Sequence, residues 1–546
     1  MDLFQSEAFS SRVLDLMDEH HIPGLAIAVV KNDETASKAF GHACLDPPKP
    51  VSTDTLFDIA SCSKSMTAAA VGLLVEDNDK YPEVQYDATM SSLLPDDFVM
   101  PSAEYTDGVT VEDVLSHKTG MPRYDMSYIG PQGDQPDDAR SVTRNLRNLP
   151  VAAPLRARYM YNNMMYTVAT HLVEVKTQQS FSDFLEERFF EPLDMRSTSL
   201  QPMRARAKGH GDRIAKGYCY NKEKSTYRGF DDLDCPEGQG AGSIITSVDD
   251  FIRWVKSLMR HEGPFSGKVY QGLVRQRTIT NPTGRRLKPF TSPVVYAAGL
   301  EVYYYRGHMV VGHDGSIAGF ESQFFFLPQS KFGACIVGNS SDSGIAAGIL
   351  ARQLIDAALG VPEVERPPRN KAKKKADNAD TNVSIRPKSE SQDQSRKPTK
   401  ENSEGKQNSL QKDEAKGQVA PDDRLKPKPN KTKAKAKEQA PPPPQEIPLS
   451  AYTGRYWNPG YHSMTVEIKD EKLFIDATDR SFQSTLTFDH VGDQTKYTAT
   501  IRDIHEDYSE EIRAEFVLED GRAVRMGLGL EVALKDLTWF ALQRDI

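Results

Sequence analysis

Ser61 and Lys64, three residues apart in FDIASCSKSMTAAAVGLLVED, form the pair of side chains in this sequence best suited to nucleophilic chemistry. A serine hydroxyl is a weak nucleophile at neutral pH and needs a base to take its proton. Lysine can serve when burial or a neighbouring cation favours its neutral form. Residues i and i+3 share one face of a helix, which brings the amine within reach of the hydroxyl. Phe57, Ile59 and Ala60 on one side, and the run from Met66 to Leu74 on the other, predict that the pair is buried. The spacing alone is not specific. It recurs at Ser403/Lys406 and Ser409/Lys412, in a stretch with nothing from which to build a pocket.

Two further groups separate Ser61 from those repeats. Tyr161-Asn162-Asn163 opens the apolar helix predicted over MMYTVATHLVE; the Tyr161 phenol could share a proton with Ser61 and Lys64, and the Asn163 amide could orient a substrate carbonyl. The same triplet pattern at Tyr456-Trp457-Asn458 reads as a strand end. His313-Asp314-Gly315 lies on or beside a predicted strand in VGHDGSIAGFESQFFFLP. Glycine there would admit a substrate close to the strand backbone. The N–H groups of Ser316 and Ser61 could together form an oxyanion hole. Lys118-Thr119-Gly120 is set aside, because it follows an apparent helix end at which Gly120 reads as the C-cap and Pro122 as the stop.

The elements that must carry these residues come from both ends of the first 360 residues. A helix is predicted near Glu7–Glu19, followed by a hairpin over IPGLAIAVVKN and SKAFGHA. ESQFFFLP and FGACIVGN then read as strands, and Gly344–Leu359 as a helix. SVDDFIRWVKSLM is helical, with Ser247 as cap and Asp250 three residues on. Strands at both ends with helices between predict an α+β fold, a sheet closed by its own termini around a helical insertion. Residues 361–447 are rich in Lys, Pro, Gln, Ser, Asp and Glu and nearly devoid of large apolar groups. They predict a disordered low-complexity linker, with a polyproline II piece at Pro441–Pro444. From 448 to 546, alternating segments such as MTVEIK, KLFIDA, STLTFD and KYTATI predict a small antiparallel β-barrel or sandwich.

Composition narrows the function. A net charge of −9 carries no nucleic-acid footprint, and no stretch approaches the 18 apolar residues of a membrane span. The first residues lack the basic start and apolar run of a secretory signal, so a cytoplasmic protein is expected. Five cysteines then read as reduced thiols, with a Cys219–Cys235 bridge left open for an exported chain. The histidines at 20, 21, 210 and 462 show no metal-ligand spacing, and neither a metal nor a cofactor is expected.

The ordered set Ser-x-x-Lys, Tyr-x-Asn, His-x-Gly resembles the serine β-lactamase and penicillin-binding-protein family, in its class C-like, D-aminopeptidase and esterase branch. One hundred residues separate Ser61 from Tyr161, and 150 separate Asn163 from His313. IPGLAIAVV, VEDVLSHKTGMPRY and GQGAGSIITSVDDFIRWV are similar to that family as well, so the likeness covers about residues 5–360. It implies a β-lactamase/transpeptidase-like catalytic domain at 1–360. Within it, Ser61 would be the acylated nucleophile, Lys64 and Tyr161 the proton acceptors, and Asn163, His313, Gly315 and Ser316 the substrate-side groups. The barrel at 448–546 resembles the lipocalin-like modules attached to some of these peptidases. His313 stands where penicillin-recognising relatives often carry lysine. It is only partly charged near neutral pH, which directs the reading away from β-lactams and towards an ester, amide or short peptide. An acyltransferase, in which a small hydroxyl or amine intercepts the acyl-enzyme, uses the same residues. A non-catalytic scaffold would be expected to have lost a motif residue. Oligomeric state is not legible.

Overall fold

The computed structural model describes residues 1–231, 233–285, 287–366 and 444–543. Of the linker expected over 361–447, residues 367–443, with most of the polyproline piece, lie outside the described residues. Residues up to Glu363 and the C-terminal barrel belong to one compact unit. Among the described residues no helix is long and apolar enough to cross a membrane.

Helix α1 (Glu7–Glu19) starts where Ser6 accepts the Phe9 N–H, and it buries Phe9, Val13, Leu16 and Met17, one stripe at helical spacing. Strand β1 (Gly24–Lys31) runs antiparallel to β2 (Glu34–Leu45), as the hairpin pattern predicts. The nucleophile segment leads into α2 (Lys64–Glu76). The Tyr161 segment leads into α3 (Met164–Thr177), and Ser247 caps α4 (Val248–Arg260). Four strands follow: β3 (Glu301–Tyr305), β4 (His308–Ile317), β5 (Phe320–Leu327) and β6 (Phe332–Gly338). Helix α5 (Ser343–Ala358) ends the domain. The nine-stranded sheet runs Pro48–Pro50, β2, β1, β6, β5, β4, β3, Val295–Tyr296, Thr278–Ile279, so the N-terminal hairpin closes onto the last strand of the domain. That is the α+β architecture predicted above.

The central strands of the sheet are buried on both faces, and β1 shows how. Leu25, Ile27 and Val29 pack with α1 and α5, whereas Ala26, Ala28 and Val30 face the larger core shared with α2, α3 and α4. Small side chains on that second face leave room for α4, whose Phe251, Trp254 and Val255 fill the gap.

Eight strands close the C-terminal barrel: β7 (Gly454–Asn458), β8 (His462–Lys469), β9 (Lys472–Ala477), β10 (Ser484–Gly492), β11 (Lys496–Asp503), β12 (Ser509–Glu519), β13 (Arg522–Leu528) and β14 (Thr538–Leu542). Pairing of Tyr456 with Leu542 and Trp457 with Ala541 completes the ring and removes the exposed edges. Tyr452, Tyr456, Phe488, Tyr497 and Phe516 pack its interior, as expected for so small a barrel. Its contacts reach back before 448: Gln445 donates to the Tyr452 hydroxyl, and Ile447 N–H to Gln494.

Two expectations need correction. Gly120 does not cap a helix, because the helix Val111–Leu115 ends at Ser116. Gly120 does have a left-handed backbone (φ +79°), but a Cβ there would lie 2.1 Å from the Ala153 carbonyl oxygen, so close chain approach is what demands glycine. The second is the open alternative of a Cys219–Cys235 bridge: all five cysteines are free thiols.

Candidate active site

The nucleophile segment turns sharply before its helix begins. Ser61 lies in a 3-10 turn, Ala60–Ser63, rather than in the α-helix itself. In a 3-10 turn residues i and i+3 are eclipsed, which stacks Lys64 directly against Ser61. Ala60 takes φ +46°, a left-handed conformation costly for a residue with a Cβ, and Asp58 holds it by accepting its N–H at 2.6 Å. The turn is fastened to the sheet: Ser322 Oγ donates to the Ile59 carbonyl at 2.7 Å, and the Cys62 thiol to the His313 carbonyl at 3.2 Å.

Lys64 is wholly buried. Its Nζ lies 3.0 Å from Ser61 Oγ and donates to the Ala241 carbonyl at 2.7 Å. Burial, with the Arg123 charge adding to it, holds the Lys64 ammonium well below its ordinary range. A neutral amine keeps a lone pair, which a fully protonated ammonium lacks. With an N–H committed to Ala241, that lone pair can accept the Ser61 proton. Ala241 belongs to the GQGAGS loop, which Thr67 Oγ1 anchors through the Gly240 carbonyl at 2.8 Å.

Tyr161 OH donates to Ser61 Oγ at 2.8 Å, from a loop one hundred residues away. His117 supports it, with ring centroids 4.3 Å apart, and the His117 Nδ1 accepts the Asn162 N–H at 3.2 Å. The side-chain cap of α3 comes from Asn162, whose Oδ1 accepts the Met165 N–H. Asn163 is therefore released from capping. Its Nδ2 donates to Asp125 Oδ1 at 3.2 Å, which orients the amide through one of its two N–H groups.

His313 is buried on β4 with both ring nitrogens engaged. Nδ1 meets the Asp314 carbonyl at 2.5 Å, which only accepts, so Nδ1 carries the proton and Nε2 accepts from the Tyr296 hydroxyl at 2.9 Å. Burial, then the Lys64 charge, lowers its pKa to about 3. The imidazole is thus neutral at pH 7, not partly charged as its residue type alone suggests. Gly315 also departs from expectation. A Cβ there would lie 2.2 Å from the Ile59 carbonyl oxygen and 2.3 Å from Ser322 Oγ. Glycine is required here for the turn that carries Ser61 to sit on the strand.

Ser316 lies near the end of β4. The hairpins flanking β4 close on two-residue loops, with Tyr305 opposite His308 and Ile317 opposite Phe320. Alternation along an antiparallel strand then turns the backbone groups of Gly312, Asp314 and Ser316 to the β3 side. The pairing with β3 stops at Gly312. The Ser316 N–H therefore points off the sheet edge beside the nucleophile turn.

Three charged groups carry no motif signal: Arg123, Asp125 and Glu531. Arg123 donates to Asp125 Oδ2 at 2.7 Å, and its guanidinium carbon lies 5.5 Å from the Tyr161 ring centroid. Glu531, from the barrel loop between β13 and β14, accepts the Tyr124 N–H at 2.9 Å. Burial, with Asp125 adding, raises its carboxyl to about 8. Nearby, Ile129 pairs with Arg480 of the barrel, Gly130 N–H donates to the Asp479 carbonyl, and Ser481 bonds the buried Glu237. Lys118 points elsewhere, into an ion pair with Glu112 at 3.3 Å.

Comparison with known proteins bears on both parts of the chain. The family model described as Beta-lactamase matches residues 9–379, and a domain of unknown function, DUF3471, matches 438–541. The unguisins hydrolase of Aspergillus campestris is 32% identical over 484 residues, covering 88% of this chain and 81% of its own. The D-aminopeptidase of Brucella canis is 26% identical over 374 residues, 66% of this chain and 64% of its own. Among solved structures, the octameric penicillin-binding protein homologue from Pyrococcus abyssi aligns over 97% of this chain and 98% of its own, with TM-score 0.56 and 18% identity. The D-amino acid amidase from Ochrobactrum anthropi, complexed with D-phenylalanine, aligns over 65% and 99%, with TM-score 0.51 and 19% identity.

Proposed function

Because this chain belongs to the beta-lactamase family, we propose that it is a serine hydrolase that cleaves an amide bond in a small molecule or short peptide through an acyl-Ser61 ester. The observation that carries the proposal is the convergence of Lys64 Nζ, at 3.0 Å, and Tyr161 OH, at 2.8 Å, on Ser61 Oγ. The relatives named above include an unguisins hydrolase and a D-aminopeptidase, and the neutral His313 supplies no cation for a substrate carboxylate.

In the first half-reaction Ser61 Oγ attacks the carbonyl carbon while neutral Lys64 takes the hydroxyl proton. The Ser61 and Ser316 N–H groups receive the developing oxyanion; one such donor contributes about 3–4 kcal/mol in a preorganised site. Tyr161 delivers a proton to the departing amine nitrogen as the C–N bond breaks. In the second half a water takes the amine's place, gives one proton to the Tyr161 phenolate, and attacks the ester carbonyl. The C–O bond to Ser61 breaks, the Lys64 ammonium returns the proton to Ser61 Oγ, and a carboxylic acid leaves. Asn163 acts on the substrate side with an amide that Asp125 orients through one of its two N–H groups.

Release of p-nitroaniline from D- and L-amino-acid p-nitroanilides tests the reading. Wild type is expected to turn over members of the panel, with Ser61→Ala slower by at least about a thousandfold. Equal turnover by Ser61→Ala overturns it.

A further inference from the structure

We propose that Arg123 is a positioning residue for this reaction, the fixed positive charge of the Ser61 site, anchored by Asp125 and laid against Tyr161. The proposal rests on the reading of Ser61 as nucleophile and Lys64 as its base, and it adds a residue that lies outside the three motifs.

The geometry forms a closed circuit. Arg123 Nε donates to Asp125 Oδ2 at 2.7 Å, Asp125 Oδ1 accepts from Asn163 Nδ2 at 3.2 Å, and Asn163 lies two residues from Tyr161. The Arg123 guanidinium returns to the Tyr161 ring at 5.5 Å from its centroid, within the range of a cation–π contact. One carboxylate thus sets the guanidinium and the Tyr161–Asn163 segment in common register. The side chain is 56% exposed, so the guanidinium lies at the open side of the site rather than in the core.

The site has few other sources of positive charge. His313 is neutral, with both nitrogens bound, and Lys64 must itself be neutral to act as a base. The groups facing Lys64 and Tyr161 come from several elements. They are Cys62 from the nucleophile turn; His117, Arg123 and Asp125 from the loop after Ser116; and Tyr159 and Tyr166 flanking Tyr161. Tyr296 and His313 come from the sheet. Glu531 and Tyr508 of the barrel face Arg123. After burial, the Arg123 charge is the largest influence favouring neutral Lys64, and Asp125 opposes it. A cation beside Tyr161 also favours the phenolate over the phenol, so both proton acceptors are biased the same way. Remove Arg123, and Lys64 and Tyr161 hold their protons to higher pH.

The test is the pH dependence of fluorophosphonate acylation in wild type, Arg123→Gln and Arg123→Lys, with Ser61→Ala as blank. The acid limb of the rate profile for Arg123→Gln is expected to move alkaline by about one pH unit, with acylation about tenfold slower on that limb. Its alkaline plateau should stay within about twofold of wild type, and Arg123→Lys should shift by less than about half as much as Gln. An unchanged limb in Arg123→Gln overturns the proposal. So does equal slowing at every pH, which marks a purely structural role. A Lys variant as displaced as Gln also overturns it, because charge would not be the cause. Labelling of Ser61→Ala sinks the parent reading instead, and is seen separately.

Discussion

Two Tyr-x-Asn triplets occupy this chain, and their surroundings have little in common. In the barrel, Tyr456 donates to the Tyr452 carbonyl at 2.7 Å. Asn458 accepts the Gly460 and Tyr461 N–H groups and donates to the Trp539 carbonyl. The Tyr456 hydroxyl and the Asn458 amide are both spent on backbone, and the result is a satisfied turn at the end of β7. In the catalytic domain, Tyr161 spends its proton on the hydroxyl of Ser61, and Asn163 on a carboxylate that also holds Arg123. Buried polar groups must find partners in either setting. When the partner is backbone the triplet holds the chain in place; when it is another reactive side chain, the triplet can move protons.

Replacing each tyrosine with phenylalanine gives the largest expected contrast. Tyr161→Phe should lower kcat/KM about 10²- to 10⁴-fold, the range of a lost general acid or base. Tyr456→Phe should leave kcat/KM within about twofold and lower unfolding free energy by about 1 kcal/mol. Steady-state kinetics and urea unfolding check both. Tyr161→Phe within threefold of wild type would break the contrast.

The asparagines divide in the same direction on a smaller scale. Asn163→Ala should cost about tenfold in kcat/KM, or about 1.4 kcal/mol. Asn458→Ala, which strips three hydrogen bonds from one turn, should instead lower stability by about 2 kcal/mol with kcat unchanged. An equal kinetic defect in the two would show that the turn matters to the site.

Glu531 is where the barrel meets the loop that carries Tyr124 and Asp125, and it sharpens the comparison through pH. Its carboxyl sits near 8 in the fold against an ordinary 4.5. Between those values the folded chain keeps a proton that the unfolded chain has released, so stability falls as pH rises through that window. Glu531→Gln should remove that part of the decline. The expected sign is a higher Tm than wild type at pH 9, by about 2 °C, and little difference at pH 5. Parallel Tm-against-pH curves would contradict it.

How much was legible depended on range. The stripe of α1, the β1–β2 hairpin and the Ser247 cap of α4 are local patterns, and each was readable at its own position. Ser61, Lys64, Tyr161 and His313 were readable because residue type and order together are rarer than any single spacing. Asp125, Arg123 and Ala241 were not, since a charged residue or a backbone carbonyl carries no sign of the partner that folding brings to it. Glu531 is the extreme case, meeting Tyr124 across 407 positions. Gly120 was read as a helix cap, and the turn that packs on Gly315 went unnoticed, because a glycine shows that something comes close without showing what. The charge state of His313 followed from burial, which residue type does not reveal.

The central claim is that Ser61 becomes covalently acylated. Intact-mass measurement of the full chain after fluorophosphonate treatment, with peptide mapping of the adduct, tests it most directly. Wild type should gain a single adduct on the peptide containing Ser61, and Ser61→Ala should gain none under the same conditions. An adduct of equal extent in Ser61→Ala, or one mapped to a different serine in wild type, would contradict the account.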